Sequence, residues 1–271
     1  MASVDAEFEI AAGSVPGRSH VLAGRGNQDA FAFRAGKDAL FALVCDGCGS
    51  STHSEVGAAI GARVVLEAGL AAMARGAAVD DEATWEGVRR EALVSLGATA
   101  RAMGGRIEDI VGDYLLFTVI GVAIAGGRAA IVGIGDGFFA SPRERVRIGP
   151  FAGNAPPYLG YGLLGEGPRF SIHRAYDSAA LEAVLVGTDG AADMDELEGR
   201  PIPGADGARL AAISQFWTDD KYFRNRDAIR RALSLVNREV QRPVWSERRV
   251  LREAGLLEDD TTILVIRRRP S

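Results

Sequence analysis

The chain predicts an α+β fold with antiparallel sheets, a single domain over residues 1–271, and three observations carry this. Short, apolar, β-branched runs stand at both ends and in the middle of the chain and read as strands. The elements run strands, helix pair, strands, helices, strand, an order that suits antiparallel sheets with segregated helices better than alternating βαβ units. No composition break and no fixed-period repeat marks a second domain.

Each element has its local reason. Glu7–Ala11 is a short, half-apolar strand. Ala30–Arg34 and Ala39–Cys45 flank the turn Gly36-Lys37-Asp38, and the second run is apolar throughout, as a strand buried on both faces should be. Apolar residues recur at helical spacing from Ser54 to Arg75 (Val56, Ile60, Val64, Leu66, Leu70, Met73), with Ser54 as N-cap. A second helix runs from Asp81 to Met103, its acidic start matching the helix dipole. Leu115–Ala125, the turn Gly126-Gly127 and Ala129–Gly135 read as a hairpin, followed by strands Phe138–Ser141 and Arg145–Ile148. Residues 149–168 are rich in Gly and Pro, lack a period and read as a flap-like loop. Phe170–Ala175 and Ala183–Gly187 are strands, Asp206–Trp217 and Arg226–Val240 helices, and Thr261–Arg267 a closing strand.

Composition narrows the function. Hydrophobic residues make up 47%, too many for a disordered chain, and the net charge of -5 argues against a nucleic-acid binder. The start MASVDAEFEI has no basic, apolar signal pattern, and no run approaches the ~20 apolar residues of a membrane span. The two cysteines, Cys45 and Cys48, have a C-x-x-C spacing. With no second pair, and with His20, His53 and His173 scattered, a structural zinc site is not expected. A reducing cytoplasm is the expected location, with no membrane partner.

Four acidic positions share one setting. Asp29 precedes a strand in Asn27-Gln28-Asp29, Asp46 and Asp189 end apolar strands before Gly47 and Gly190, and Asp259-Asp260 precedes the last strand. Taken singly, an Asp-Gly after a strand is usually just a turn. Taken together, strand-end carboxylates gathered at one sheet edge repel one another unless a hard cation such as Mg²⁺ or Mn²⁺ neutralises them. Spacing alone leaves both readings open.

The same residues resemble the motifs of the metal-dependent protein phosphatases of the PP2C (PPM) type, most closely their compact bacterial branch. Gly24-Arg25-Gly26-Asn27-Gln28-Asp29-Ala30 is similar to the first motif, and Val44-Cys45-Asp46-Gly47-Cys48-Gly49-Ser50 with Ser54-Glu55-Val56-Gly57-Ala58 to the second. Thr118-Val119-Ile120-Gly121, Val132-Gly133-Ile134-Gly135-Asp136-Gly137, Thr188-Asp189-Gly190 and Asp259-Asp260-Thr261-Thr262 follow in family order and span nearly the whole chain.

The resemblance implies a four-layer αββα sandwich, two central antiparallel sheets flanked by helix pairs. It implies hydrolysis of phosphoserine or phosphothreonine by a water bridging two Mn²⁺ or Mg²⁺ ions. Asp46 would bridge the ions, the Gly47 carbonyl would bind one, and Asp189 and Asp259 the other. Asp29 stands close by, as a ligand or through water, and Asp113 is the candidate for a weaker third ion. Asp46, Asp189 and Asp29 are thus the catalytic candidates, and Asp136 is expected to be structural and away from the metals. The partner is a phosphorylated protein, the target of a Ser/Thr kinase or the kinase itself. Two positions depart from the pattern. Cys48 stands where relatives often carry a histidine proposed as general acid, leaving His20 and His53 as substitutes. Gly24 stands where they carry a phosphate-binding arginine, with Arg25 one position later. These departures keep a second expectation open, a weakly active or inactive regulator that binds a phosphoprotein or kinase.

Overall fold

The computed structural model describes residues 3–270; Met1, Ala2 and Ser271, the ends of the predicted domain, lie outside the described residues. A turn of helix, α1 (Val4–Glu7), leads into β1 (Phe8–Val15) and α2 (Arg18–Leu22). The hairpin β2 (Ala30–Ala35) and β3 (Ala39–Cys45) precedes the long helices α3 (Ser54–Ala74) and α4 (Glu82–Met103) and the shorter α5 (Ile107–Tyr114). Strands β4 (Val119–Ala125), β5 (Arg128–Ile134), β6 (Gly137–Ala140) and β7 (Arg145–Ile148) follow. After an irregular loop come β8 (Ser171–Asp177) and β9 (Ala183–Gly187), then α6 (Asp189–Glu196), α7 (Gln215–Thr218), α8 (Lys221–Arg224) and α9 (Ala228–Val236). The hairpin β10 (Val240–Val244) and β11 (Arg249–Glu253) and the strand β12 (Thr261–Arg268) end the chain.

Two five-stranded sheets, ordered β1-β12-β9-β6-β7 and β2-β3-β4-β5-β8, are antiparallel throughout. Period-two alternation explains the apolar strands. In β3, Leu40, Ala42 and Val44 meet Ile120, Val122, Val184, Val186, Leu264 and Ile266 in the core between the sheets. Phe41, Leu43 and Cys45 point the other way, into a core with Trp85, Val88 and Leu96 of α4 and Ala58, Ala62 and Val65 of α3. A third core packs Ile263 and Val265 of β12 against Met194, Ile229, Leu233 and Val236 of α6 and α9. Three cores separate four layers, the αββα sandwich.

The structure corrects several local expectations. Ser54 is the first residue of α3 and not its cap; its hydroxyl donates to the Cys48 carbonyl and accepts from Gln28 Nε2. The buried face of α3 is made of small residues such as Gly57, Gly61, Ala62 and Gly69, while Val56 is exposed. This lets α3 pack at close range: a Cβ on Gly57 would lie 1.5 Å from the Tyr114 carbonyl oxygen. By length and composition α3 could cross a membrane, but over half of its most apolar stretch is buried in the fold. The expected helix at 206–217 is mostly turns, because Gly204 and Gly207 adopt positive φ and only Gln215–Thr218 is helical. The helix expected at 226–240 ends at Val236, and Val240 starts a strand instead. β1 runs to Val15 because β12 pairs with its whole length.

Candidate metal centre

Seven segments of the chain meet at one end of the sandwich and enclose a cavity of about 410 Å³. His20 comes from α2; Asp46, Gly47, Cys48, Gly49 and Ser50 from the β3–α3 loop; Thr118 from the residue before β4; Asp136 from the β5–β6 turn; Asp189 from the first residue of α6; Asp259 from the residue before the Asp260–β12 junction. The 149–168 loop closes one side with Gly153, Pro156 and Tyr158, as a flap-like wall. A larger, apolar hollow of about 490 Å³ lies between α6, α8 and α9, with no carboxylate among its described lining residues, so it offers a hard cation nothing.

Backbone contacts fix the carboxylates. The Thr118 N–H donates to the Asp46 carbonyl at 2.8 Å, and Cys48 N–H to the Leu116 carbonyl at 2.9 Å, which ties the loop after β3 to the approach of β4. Gly190 passes so close to the last motif that a Cβ there would stand 2.1 Å from the Asp260 carbonyl oxygen, and one on Gly17 would stand 2.3 Å from the Asp259 carbonyl carbon. Both positions therefore need glycine. Asp260, buried, accepts the N–H of Gly17 at 2.6 Å and of Gln28 at 2.5 Å, and so joins the first and last motifs. Asp29 lies behind the cavity wall: Thr188 Oγ1 donates to its Oδ2 at 2.8 Å, and its Oδ1 is buried without a hydrogen-bond partner.

The electrostatics are those of crowded, desolvated carboxylates. Burial, then the neighbouring charges of Asp29, Asp189, Asp136 and Asp259, pushes the Asp46 carboxyl well above the usual range. Burial likewise raises Asp29. Asp189 is pushed up to about 6, chiefly by burial and then by Asp259 and Asp136. Burial raises Asp136 and Asp259 too. A buried oxygen without a partner beside mutually repelling carboxylates fits a hard divalent cation, whose ligands are such oxygens.

Residues 16–234 match the family model for protein phosphatase 2C. The chain belongs to the protein phosphatase 2C family. Solved structures agree in fold: a bacterial serine phosphatase carrying a point mutation (TM-score 0.53, 11% identity, covering 97% of this chain and 99% of that one). PppA, a key regulatory component of the type VI secretion system of Pseudomonas aeruginosa, aligns at TM-score 0.53 and 15% identity over 97% and 98% of the two chains. The catalytic domain of the serine/threonine phosphatase PstP, in complex with two manganese ions, aligns at TM-score 0.50 and 15% identity over 97% and 99%. No protein among the curated sequences matches the chain.

Within this protein phosphatase 2C fold, the structure gathers Asp46, Gly47, Asp189 and Asp259 in the lining of one cavity, with the buried Asp29 close enough to raise Asp46 by its charge. Asp113 is elsewhere, on the exposed side of α5, where Thr52 Oγ1 donates to its carboxylate at 3.3 Å. Asp136, expected to lie apart from the metals, lines the cavity and raises Asp46 and Asp189 by its charge. Its signal was the one that marked the others, an aspartate between Gly135 and Gly137 at a strand end. Arg25 is exposed at the lip, its guanidinium donating to the Gly49 carbonyl. Arg18 pairs with Glu258 at 3.1 Å. His53 lies outside the described cavity lining, 47% exposed and stacked 5.0 Å from Tyr114. His20 stands in the cavity wall, its Nδ1 2.8 Å from Asp260 Oδ1, and the ligand atoms of His20, Asp259 and Asp260 lie within 4.8 Å of one another.

Proposed function

We propose that this chain is a metal-dependent phosphoprotein phosphatase that hydrolyses phosphoserine or phosphothreonine. One observation carries the reading: four carboxylates, Asp46, Asp136, Asp189 and Asp259, face a single cavity in a protein phosphatase 2C fold. Asp46, the Gly47 carbonyl, Asp189 and Asp259 would hold two Mn²⁺ or Mg²⁺ ions, with Asp29 behind Asp46. Asp136 is the better-placed carboxylate for a weaker third ion, since Asp113 is outside the described cavity lining. When bound, the ions supply Lewis acidity toward a water and toward the phosphoryl oxygens.

The chain's own groups do the rest. Thr188 holds Asp29 by one oxygen and leaves the other free to accept from a ligand or its water. Arg25, tethered to the Gly49 carbonyl at the lip, meets the phosphate of an arriving phosphopeptide. Tyr158 and Pro156 line the cavity beside the carboxylates. The substrate is a phosphorylated protein, a kinase target or the kinase itself. The reading includes a cytoplasmic site of action, supported by two cysteines that form no disulfide.

A second reading, a regulator that binds a phosphoprotein or kinase with little turnover, draws on one feature: no Arg or Lys is among the described residues lining the cavity. Calorimetric titration with Mn²⁺ beside an assay with p-nitrophenyl phosphate separates the two. The enzyme binds Mn²⁺ and turns over; a regulator binds phosphopeptide without turnover, and that outcome rejects the first reading.

A further inference from the structure

We propose that Val21 and Leu22 form an apolar lip on the cavity that receives an aliphatic side chain next to the phosphorylated residue of the substrate. The proposal rests on the phosphatase reading and narrows its substrate class to phosphoserine or phosphothreonine with a large aliphatic neighbour. Single exposed apolar residues are ordinary on a protein surface, whereas a contiguous group at the mouth of a site marks a contact. Val21 is 59% exposed and Leu22 73%, and Ala23 beside them is exposed too. Neither Val21 nor Leu22 is among the described members of the three cores, so the packing of the fold does not account for their being apolar.

Connectivity places the pair at the mouth. The segment 20–25 starts at His20, in the cavity lining, and ends at Arg25, whose guanidinium donates to the carbonyl of Gly49, another lining residue. Its backbone closes on itself. The Ala23 N–H donates to the Ser19 carbonyl at 3.0 Å, the Gly24 N–H to the Val21 carbonyl at 3.2 Å and the Arg25 N–H to the His20 carbonyl at 2.9 Å. Gly24, at φ 67°, makes the left-handed turn that ends α2 and brings the chain back. The base is fixed as well, since the N–H groups of Arg18 and Ser19 donate to the carbonyls of Leu257 and Glu258, just before Asp259. Val21 and Leu22 thus stand on a held turn that has both feet at the cavity.

The occupant follows from where a substrate must run. A phosphorylated side chain enters the cavity, while the residues on either side of it stay outside and cross the rim. With Arg25 meeting the phosphate at one foot of the turn, an adjoining residue of the peptide passes over Val21 and Leu22. An aliphatic side chain there takes apolar surface out of water on both partners. A carboxylate in the same place would lose hydration against two side chains that offer it no hydrogen bond. A second copy of this chain is the rival occupant, and the test separates the two.

The test compares the wild type with the double variant Val21→Ser, Leu22→Ser. Rates are measured with Mn²⁺ on two phosphoserine peptides that differ only in having leucine or aspartate on each side of the phosphoserine, and on p-nitrophenyl phosphate, which has no flanking residues. The wild type should favour the leucine peptide ~10-fold in kcat/KM, with the difference in KM. The variant should lose that preference by losing rate on the leucine peptide, and should stay within about twofold of the wild type on p-nitrophenyl phosphate. No preference in the wild type, a preference that survives in the variant, or an equal loss on p-nitrophenyl phosphate would each overturn the proposal; the last would make the turn a structural support of the cavity. Sedimentation of both proteins checks the rival: a dimer that the variant splits, with the peptide preference unchanged, makes the pair a self-contact and overturns the proposal as well. If the wild type hydrolyses none of the three compounds with Mn²⁺, the phosphatase reading itself fails and this one with it. If it hydrolyses all three without preference, only the role of Val21 and Leu22 fails.

Discussion

Asp46 is half-buried among like charges, and removing its charge should act in opposite directions on folding and on metal binding. We expect Asp46→Asn to stabilise the metal-free protein by about 1–2 kcal/mol, since a repelled buried carboxylate disappears. The same variant should lose the Mn²⁺-induced rise in melting temperature expected of the wild type; thermal unfolding with and without Mn²⁺ reads both effects. The pH dependence follows from Asp189. Its folded value near 6 exceeds the unfolded value of 3.8, so the folded state holds the proton more tightly. Stability from this group is complete below pH ~4 and is lost as pH rises through ~6, on the order of 2 kcal/mol for the metal-free protein. Denaturant unfolding at pH 4.5 and 7.5 in the presence of a chelator measures it, and an increase in stability over that range would contradict the assignment. Asp46, Asp189 and Asp259 were legible in the sequence because each stands at a strand end among residues that cannot continue the strand. Asp136 carried the same signal, and only the resemblance argued it away. The His20–Asp260 contact was not legible, since 240 residues separate the pair and only the meeting of α2 with the start of β12 brings them together.

At the scale of elements, close backbone approach positions the site carboxylates. A Cβ at Gly190 would strike the Asp260 carbonyl at 2.1 Å, so Gly190→Ala must push α6 and the start of β12 apart. The expected cost is ~1–3 kcal/mol in unfolding free energy, with Mn²⁺ affinity falling at least ~10-fold because Asp189 and Asp259 move relative to each other. Paired unfolding and calorimetry detect this, and unchanged metal affinity would show that the two elements tolerate separation. Deep in the sandwich, Leu264→Ala opens a cavity between the sheets and should cost ~2–5 kcal/mol, read by denaturant unfolding. Elements with a clean period were legible: β3, β5, β9 and β12 lie within a residue of where alternation or unbroken apolarity put them, while β4 begins at Val119 and not at Leu115. The segment after α6 was not. Its glycines at 204 and 207 break the helix that its composition suggests, and the β10–β11 hairpin, rich in exposed Arg, carries no apolar alternation to announce it. α2 and α5 are too short to display a period.

For the whole molecule, the net charge of -5 changes meaning. Much of the acidic excess is not a solvated face: Asp29, Asp46, Asp136, Asp189 and Asp259 are gathered at one end of the sandwich, where burial raises all five. Two divalent ions would bring four positive charges to that end and nearly cancel the formal total. On the proposed reading the folded protein binds them and the unfolded chain has no assembled site, so Mn²⁺ at a hundred times its dissociation constant should stabilise the fold by about 2.7 kcal/mol, and a chelator should reverse this. The most direct test of the central claim is phosphate release from a phosphothreonine peptide at saturating Mn²⁺, wild type against Asp46→Ala. The account predicts metal-dependent turnover by the wild type and a loss of at least ~100-fold in the variant. Equal rates for the two proteins would contradict it.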